Sequence, residues 1–166
     1  MSSAVHIRNG ALIDGNGGAP VAGTDVVTDG DVIVAVGATG TLDTLVPVGA
    51  IVVDAAGRTI MPGLIDAHCH ITFDDVQSND ELFFHRPPSL AAMLTLFNLP
   101  KLLLAGVTSF FDPDTVMGIG PEVRDAVNCG AFPGPRMKTG AQALLTSVGG
   151  TAGRLIPDEG DRKSVV

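Results

Sequence analysis

The stretch "GLIDAHCH", residues 63–70, holds two of the four histidines of the chain, one residue apart, at the end of an apolar run. Its short length and apolar residues are typical of a buried strand in a parallel sheet. Because side chains alternate along a strand, the pattern predicts Asp66, His68 and His70 on one face. Ile65 and the small residues that alternate with the histidines would then lie on the other face, toward packed helices.

Two imidazoles that converge at the carboxyl end of a strand can hold one divalent cation through neutral ring nitrogens. In barrels of parallel strands, active sites lie at that end. Asp66 would lie deeper, where its carboxylate could hydrogen-bond a ligand ring or act as a polar anchor. The competing interpretation is a chance pair of histidines on a loop, because an HxH spacing is a short motif. The spacing alone leaves both interpretations open.

The composition narrows the class of protein. The 166 residues are 45% hydrophobic, which is a globular composition, and the net charge of −8 with no basic run argues against nucleic-acid binding. The two cysteines form no CxxC motif, which favours a reducing compartment over a disulfide scaffold. The first residues lack a signal-peptide pattern, and no apolar run approaches the roughly 20 residues of a membrane helix. We therefore expect a cytoplasmic protein without membrane contact.

Residues 4–54 are expected to form β-hairpins. Asn9-Gly10 and Asp29-Gly30 each separate two runs of alternating apolar residues. Such dipeptides favour type I′ turns, because both central residues of that turn need a positive φ. The run 51–54 predicts a further strand, so this part of the chain is expected to be all β.

Strands and helices alternate after Pro62, which predicts βα units around a parallel sheet. The first predicted strand is 64–71. Ser89 is placed to cap a helix that ends at Gly106, and Pro100 should kink or split this helix. A second strand, a short helix and a third strand follow, over 107–112, 120–130 and from 135 onward.

Three further residues are candidates for lesser roles. Asp112 closes the second predicted strand, where it could line the site or hydrogen-bond a metal-binding ring, or simply cap a turn. His85 lies in the long loop after the first strand and could contact substrate or belong to an ordinary packed loop. Cys69, between the two histidines, is expected to be a packed thiol rather than a nucleophile or ligand.

Five motifs of the chain resemble, in order and spacing, the amidohydrolase superfamily: "VHIRNGALIDGNG", "DGDVIVAVG", "VVDAAGRTIMPGLIDAHCH", "LLLAGVTSFFDP" and "GPRMKTGAQALLTSVGG". The branch they are most similar to holds prolidase-like, imidazolonepropionase-like and urea- or carbamate-cleaving enzymes. The resemblance implies an α/β chain in which residues 1–61 are the N-terminal part of a small β-sandwich domain. Residues 62–166 would be the first two to three βα units of a (β/α)₈ TIM-like barrel, incomplete in this chain.

The resemblance also implies chemistry. It makes His68 and His70 ligands of a divalent metal, one or two zinc ions. The other ligands and the catalytic residues are then expected beyond residue 166. The family carries its bridging lysine on the fourth barrel strand, whereas Lys138 lies on the third predicted strand, so Lys138 is expected to be structural or on the surface. The implied activity is hydrolysis of C–N bonds of amide, urea or carbamate type, other than ordinary peptide bonds, by a metal-activated water.

Two alternatives stay open. One is another hydrolysis on the same scaffold, of organophosphates or lactones, because a fold does not determine a function. The other is a non-catalytic half-barrel that serves as an interaction module. In either case an incomplete parallel sheet would expose apolar faces and an unpaired edge. We therefore expect a companion polypeptide that carries the rest of the barrel, an oligomeric assembly, a small-molecule substrate for the enzyme, and no activity of this chain alone.

Overall fold

The computed structural model describes residues 4–74, 77–78, 81, 86–115 and 118–141. The chain forms two compact units, Met1–Pro62 and Gly63–Val166, each with its own sheet. The change of pattern predicted after Pro62 falls at the boundary between the units. The assignment of the first unit to a β-sandwich domain stays a prediction. Among the described residues, no helix has both the length and the apolar character needed to cross a membrane.

The first unit contains five strands and one 3-10 turn: β1 (Val5–Leu12), β2 (Val21–Asp29), β3 (Val32–Ala38), η1 (Asp43–Leu45), β4 (Ile51–Asp54) and β5 (Thr59–Ile60). β2 lies between β3 and β1 and pairs with both in antiparallel fashion. β4 and β5 both run parallel to β1. The unit is therefore a mixed sheet, and the prediction that this part of the chain is β is confirmed.

The predicted β2–β3 hairpin is present, but with a different turn. Asp29 pairs with Val32, so the two central residues are Gly30 and Asp31 rather than Asp29 and Gly30. Gly30 has a φ of 60°, and Asp31 is not among the described residues with positive φ. This φ pattern belongs to a type II′ turn, which requires glycine only at its first central position. The predicted type I′ turn is wrong for that reason.

The predicted hairpin at Asn9-Gly10 is wrong, because β1 continues through both residues as one strand. The register between β1 and β2 shifts there, so that Arg8 and Asn9 together lie opposite Asp25. Asn9 has the positive φ that its type favours, 63°, but it forms a β-bulge and not a turn. Its N–H donates to the Asp25 carboxylate at 2.8 Å, which satisfies the group that the bulge removes from the ladder.

Asp25 is a fully buried carboxylate that ties this bulge to the end of β3. It also accepts hydrogen bonds from the Thr39 hydroxyl at 2.8 Å and the Gly40 N–H at 3.2 Å, and it lies 3.2 Å from Nε2 of buried His6. Burial raises the pKa of Asp25, but these hydrogen bonds outweigh burial and hold the pKa at about 2, below its ordinary value of 3.8. Asp25 is therefore an ionised structural centre of the first unit.

The second unit contains three strands and two helices: β6 (Leu64–Asp66), α1 (Pro88–Leu104), β7 (Val107–Asp112), α2 (Gly120–Asn128) and β8 (Arg136–Thr139). The sheet order is β6-β7-β8, and both pairings are parallel. Parallel neighbours need a long crossover connection, and α1 and α2 lie in the two connections. The predicted α/β class, with strands and helices in alternation, is confirmed.

α1 departs from the sequence prediction at both of its prolines. It runs through Pro100 as one helix, so of the predicted kink or split the split is absent, and the kink stays a prediction. An internal proline costs about 3 kcal/mol, and the burial of Leu99 in the core beside it offsets part of that cost. The helix begins at Pro88 and not after a Ser89 cap, because a proline in the first turn has no N–H that needs a partner. Gly106 follows the helix end with a φ of 84°, as predicted.

One face of the second sheet is packed and the other is open. Phe110 and Met137 are 2% and 4% exposed and lie in the core with side chains of both helices. The opposite face carries Ile65, which is 75% exposed, and Phe111, around an open hollow of about 510 Å³. Asp66 pairs with Phe110 and therefore belongs to the packed face. The prediction that Ile65 points toward the helices is wrong.

Candidate metal centre

β6 ends earlier than the sequence predicts. Asp66 is the last residue of the strand, and its carboxylate accepts a hydrogen bond from the His68 N–H at 3.0 Å. Such a bond from a side chain to the backbone two residues on turns the chain and competes with strand pairing. The predicted strand over 64–71 is thus wrong in its second half, and alternation along a strand does not position the histidines. Asp66 shapes the backbone of the motif.

The turn nevertheless brings the two imidazoles together. Nε2 of His68 lies 3.1 Å from Nε2 of His70, and the rings meet edge to face with centroids 4.9 Å apart. Two nitrogen ligands at the usual distance from a tetrahedral zinc ion lie about 3.3 Å apart. The observed spacing therefore fits two ligands of one ion. The assignment of the pair as metal ligands stays a prediction.

His70 is also held on its other sides. Its Nδ1 lies 2.8 Å from Oδ1 of Asp114 and 3.3 Å from the backbone oxygen of the same residue. Its ring stacks on Phe73, with centroids 5.0 Å apart and planes 11° from parallel. His68 is exposed, whereas the His70 side chain is about one-quarter exposed. His70 is thus the firmly placed member of the pair.

Asp112 ends β7 and lies fully buried beside His70. Its Oδ2 accepts the N–H of Ile71 at 3.4 Å. Its Oδ1 has no hydrogen-bond partner within the described part of the chain and lies 3.7 Å from Nδ1 of His70. Burial raises the pKa of Asp112 to about 6, although the Ile71 N–H and His70 act in the lowering direction. A buried carboxylate oxygen without a partner is a group that a cation would satisfy.

The segment that follows the HxH motif is anchored by two side chains. Asn98 of α1 donates to the Ile71 carbonyl at 3.0 Å. Arg86, itself buried, donates to the carbonyls of Thr72 and Asp74, both at 3.0 Å. These bonds satisfy carbonyls that no strand or helix pairs. They hold the backbone in place immediately after the second histidine.

Three residues of this site were missed by sequence reasoning: Asp114, Asn98 and Arg86. Asp114 had a usable signal, since it follows Asp112 by two residues at the carboxyl end of a parallel strand, where sites gather. Asn98 and Arg86 belong to no motif that would have selected them. Their roles depend on contacts made only in the folded chain.

The other predicted residues lie apart from this donor group. Lys138 lies on the open face of β8 and lines the hollow there, in keeping with a structural or surface role. Cys69 is half-buried against the core, and burial raises the pKa of its thiol, which disfavours a nucleophile. His85 lies outside the described residues.

The donors around His70 form two alternative sets. In the first, Nε2 of His68 and of His70 are the ligands, and Nδ1 of His70 donates to Asp114. In the second, Nδ1 of His70 and the carboxylates of Asp112 and Asp114 are the ligands, and these atoms all lie within 4.8 Å of one another. Nδ1 cannot serve in both sets, because it carries a proton in one and a free lone pair in the other. Imidazole and carboxylate donors suit zinc in either case.

Comparison with known proteins shows that the chain is similar to a deaminase and to hydrolases of known structure. No protein-family model matches the chain. The chain is 32% identical to the 5-methylthioadenosine/S-adenosylhomocysteine deaminase of Halobacterium salinarum, over 76% of this chain and 30% of the deaminase. Among solved structures it is similar to molinate hydrolase, with 29% identity and a TM-score of 0.73, over 83% of this chain and 30% of that one.

A second solved structure, phenylurea hydrolase B, shows the same degree of similarity. It is 29% identical, with a TM-score of 0.68, over 81% of this chain and 29% of that one. The chain therefore spans about 30% of the length of these three relatives. The likeness concerns one portion of each of these proteins.

Proposed function

Because the chain corresponds in fold and sequence to the N-terminal portion of amidohydrolase-superfamily proteins, we propose that it is part of a metal-dependent hydrolase. The proposed reaction is cleavage of a C–N bond of amide, urea or carbamate type in a small molecule. The three relatives compared with this chain are a deaminase and two hydrolases, one of them named for phenylureas. These names support hydrolysis beside a nitrogen atom. The barrel architecture of the complete enzyme is part of the same proposal.

One observation carries this proposal: the two Nε2 atoms of the HxH motif meet at 3.1 Å just after the first strand of a parallel sheet. That position, at the carboxyl end of the strands, is where barrel enzymes bind their substrates. We prefer the first donor set, with His68 and His70 as ligands through Nε2, because Nδ1 of His70 already pairs with Asp114 at 2.8 Å. The preferred ion is zinc, as one or two ions.

The residues of this chain would hold the ion and place negative charge beside it. His68 and His70 supply two nitrogen ligands, and buried Asp112 adds negative charge close by. When bound, the ion supplies a Lewis acid that polarises a carbonyl group and activates water. Two imidazoles leave a catalytic zinc short of its usual three protein ligands. We therefore propose that the other ligands and the general base come from polypeptide beyond residue 166, and that this chain alone is inactive.

We also propose a companion polypeptide, within an oligomeric assembly, that completes the parallel sheet. The exposed side chains of Ile65 and Phe111 on its open face support this, since such faces are normally covered. The same observation favours a second candidate function, a non-catalytic interaction module. Such a module would not need a metal, so metal content separates the two functions. Both cysteines are free thiols, which supports the cytoplasm as the site of action.

Zinc binding by the 166-residue chain tests the proposed function. The chain is first stripped of metal with a chelator and then titrated with zinc in a calorimeter. We expect binding of zinc, weakened at least about tenfold by either His68→Ala or His70→Ala, because each change removes one ligand. Cys129→Ala is the matched control, since it removes an exposed thiol outside both donor sets and should leave zinc affinity unchanged.

Two results would contradict the proposal. Absence of zinc binding by the unmodified chain would favour the interaction module. Full-strength zinc binding by His68→Ala would show that His68 is not a ligand and would favour the second donor set. If zinc binding behaves as expected, hydrolysis is then assayed with the companion polypeptide present, on amide, urea and carbamate substrates.

A further inference from the structure

We propose that Asp114 is the positioning residue that holds the His70 imidazole in the tautomer with its proton on Nδ1, so that Nε2 presents a lone pair toward His68. This inference rests on the proposed metal site, because it explains how one ligand of that site is prepared before the ion arrives. Asp114 lies outside the HxH motif and outside β6, in the loop that follows β7.

Distances select Asp114 over its neighbour Asp112. Oδ1 of Asp114 lies 2.8 Å from Nδ1 of His70, which is the length of a strong hydrogen bond to a carboxylate. Oδ1 of Asp112 lies 3.7 Å from the same nitrogen, which is too long for a hydrogen bond. The more deeply buried carboxylate is therefore not the one that orients the ring.

The backbone of Asp114 supports the same tautomer independently. Its carbonyl oxygen lies 3.3 Å from Nδ1 of His70, and a carbonyl oxygen can only accept a hydrogen bond. Nδ1 must therefore carry the proton to bond with it. A neutral imidazole has only one N–H, so Nε2 is left with its lone pair free for a ligand. Histidine ligands are commonly oriented in this way by a carboxylate on the other ring nitrogen.

Asp114 is itself fixed by the residues that follow the next strand. The Asp112 carbonyl accepts the Gly140 N–H at 2.9 Å. The N–H and the hydroxyl of Thr115 both donate to the Ala141 carbonyl, at 3.0 and 2.8 Å. The loop after β7 is thus tied to the loop after β8 on both sides of Asp114. This arrangement gives Asp114 a defined position from which to hold the ring.

The test reads the tautomer of His70 directly, in the metal-free chain. The full 166-residue chain is labelled with ¹⁵N, and two-bond ¹H–¹⁵N correlation spectra show which ring nitrogen carries the proton. We expect the Nδ1–H form in the unmodified chain and a mixture of forms in Asp114→Ala. Zinc affinity should fall about 10–100-fold in the same variant, as it does when such a partner of a ligand is removed.

Two further variants complete the design. Asp114→Asn keeps the size of the side chain, but its amide NH₂ can turn toward Nδ1 and donate to it, so part of the Nδ1–H form should be lost and zinc affinity should fall. This variant repeats the test if Asp114→Ala fails to fold, and an unchanged tautomer with unchanged zinc affinity would overturn the inference there too. Asp125→Asn removes an exposed carboxylate elsewhere in the same unit and should change neither readout.

The outcomes separate this inference from the proposed function. An unchanged tautomer and unchanged zinc affinity in Asp114→Ala would overturn the inference while leaving the HxH site intact. A changed tautomer in a chain that binds no zinc would support the orienting role and overturn the metal site. Complete loss of zinc in Asp114→Ala, with normal binding in His68→Ala, would make Asp114 a ligand and overturn both.

Discussion

Asp25 and Asp112 are both fully buried carboxylates, and their surroundings drive their pKa values in opposite directions. Asp25 is met by several hydrogen-bond donors, and its pKa is held at about 2. The hydrogen bond that Asp112 accepts from the Ile71 N–H is long, and burial raises the pKa of Asp112 to about 6. Both carboxylate oxygens of Asp25 have hydrogen-bond partners, which indicates a structural role for this residue. The Asp112 oxygen that has no partner among the described residues lies beside a histidine, which supports the proposed cation site.

We expect Asp25→Asn to lower the free energy of unfolding by about 1–3 kcal/mol at pH 7, because the new amide NH₂ leaves one buried donor unmatched. Urea unfolding measures this difference. Asp31→Asn is the control, since it removes an exposed carboxylate from the turn between β2 and β3. Equal stability of the Asp25→Asn variant and the unmodified chain would contradict the structural role.

The pKa of Asp25 also predicts a pH dependence. Its folded pKa, about 2, lies below the ordinary value of 3.8. The ionised carboxylate therefore contributes its full stabilisation above about pH 4, and this contribution is lost as the pH falls through about 2. The difference in unfolding free energy between the unmodified chain and Asp25→Asn should be constant from pH 7 to 5 and shrink below pH 4. A difference that grows at low pH would contradict this sign.

The loops that follow the three parallel strands, and not the strands themselves, carry the residues of the candidate metal centre. An Asp66–His68 hydrogen bond turns the chain after β6 and aims the histidines. The loop after β7 carries Asp114, and the loop after β8 holds that loop through Gly140. A Cβ on residue 140 would collide with the Pro113 carbonyl, a backbone group with little freedom to yield. Close approach of the two loops therefore requires glycine there.

We expect Gly140→Ala to displace the loop after β7, and with it Asp114. Stability should fall by about 1–3 kcal/mol, in the range of overpacked sites, and zinc affinity should fall although no ligand is changed. Denaturant unfolding and zinc calorimetry measure the two effects. Gly18→Ala is a suitable control, because a Cβ there has open space within 4 Å. Normal zinc affinity in Gly140→Ala would argue against coupling between the two loops.

α1 offers a test of the packed face of the sheet. Leu99 is fully buried in the core, whereas Leu104, at the end of the same helix, is 89% exposed. We expect Leu99→Ala to lower the free energy of unfolding by about 2–5 kcal/mol through lost burial and a residual cavity. Leu104→Ala should change it by less than about 0.5 kcal/mol. Equal effects of the two substitutions would contradict the assignment of the buried face.

Both units leave large apolar side chains in contact with solvent. In the first unit β3 and β4 carry several of them, and in the second unit Ile65 and Phe111 lie on the open face of the parallel sheet. On β3, β4 and β6, Val32, Ile33, Ile51, Val52 and Ile65 are each between 56% and 75% exposed. Surfaces of this kind mark contact sites or aggregation risk in soluble proteins. They are the physical basis for proposing a companion polypeptide.

We expect material purified from its natural source to contain a second polypeptide that carries further metal ligands. A denaturing mass spectrum would reveal it beside the 16.9 kDa chain. The chain prepared alone should self-associate with rising concentration, as measured by sedimentation. A stable, well-folded monomer with no companion would contradict the proposed partner and would weaken the catalytic function with it.

Patterns within short stretches of the sequence predicted much of the secondary structure of this protein. Apolar runs and turn residues predicted the β-rich first part, the parallel βα units of the second and the HxH motif at the end of the first parallel strand. These features depend on chemistry within a few residues along the chain, such as side-chain alternation and the backbone freedom of glycine. The patterns failed where a residue of another strand decided the outcome, as at Asn9, which bonds to Asp25 in a bulge instead of forming the predicted hairpin turn.

The surroundings of His70 came from folding and not from local pattern. His70 and Asp114 are 44 residues apart in sequence, and they meet because β6 and β7 lie side by side in parallel. The position of Asp114 beside the His70 ring depends on where β6 and β7 end and on how the loop after β8 holds the loop after β7. Contacts between residues so far apart depend on packing and register, which no short stretch encodes. The sequence could name the histidines, but only the folded chain could show what holds them.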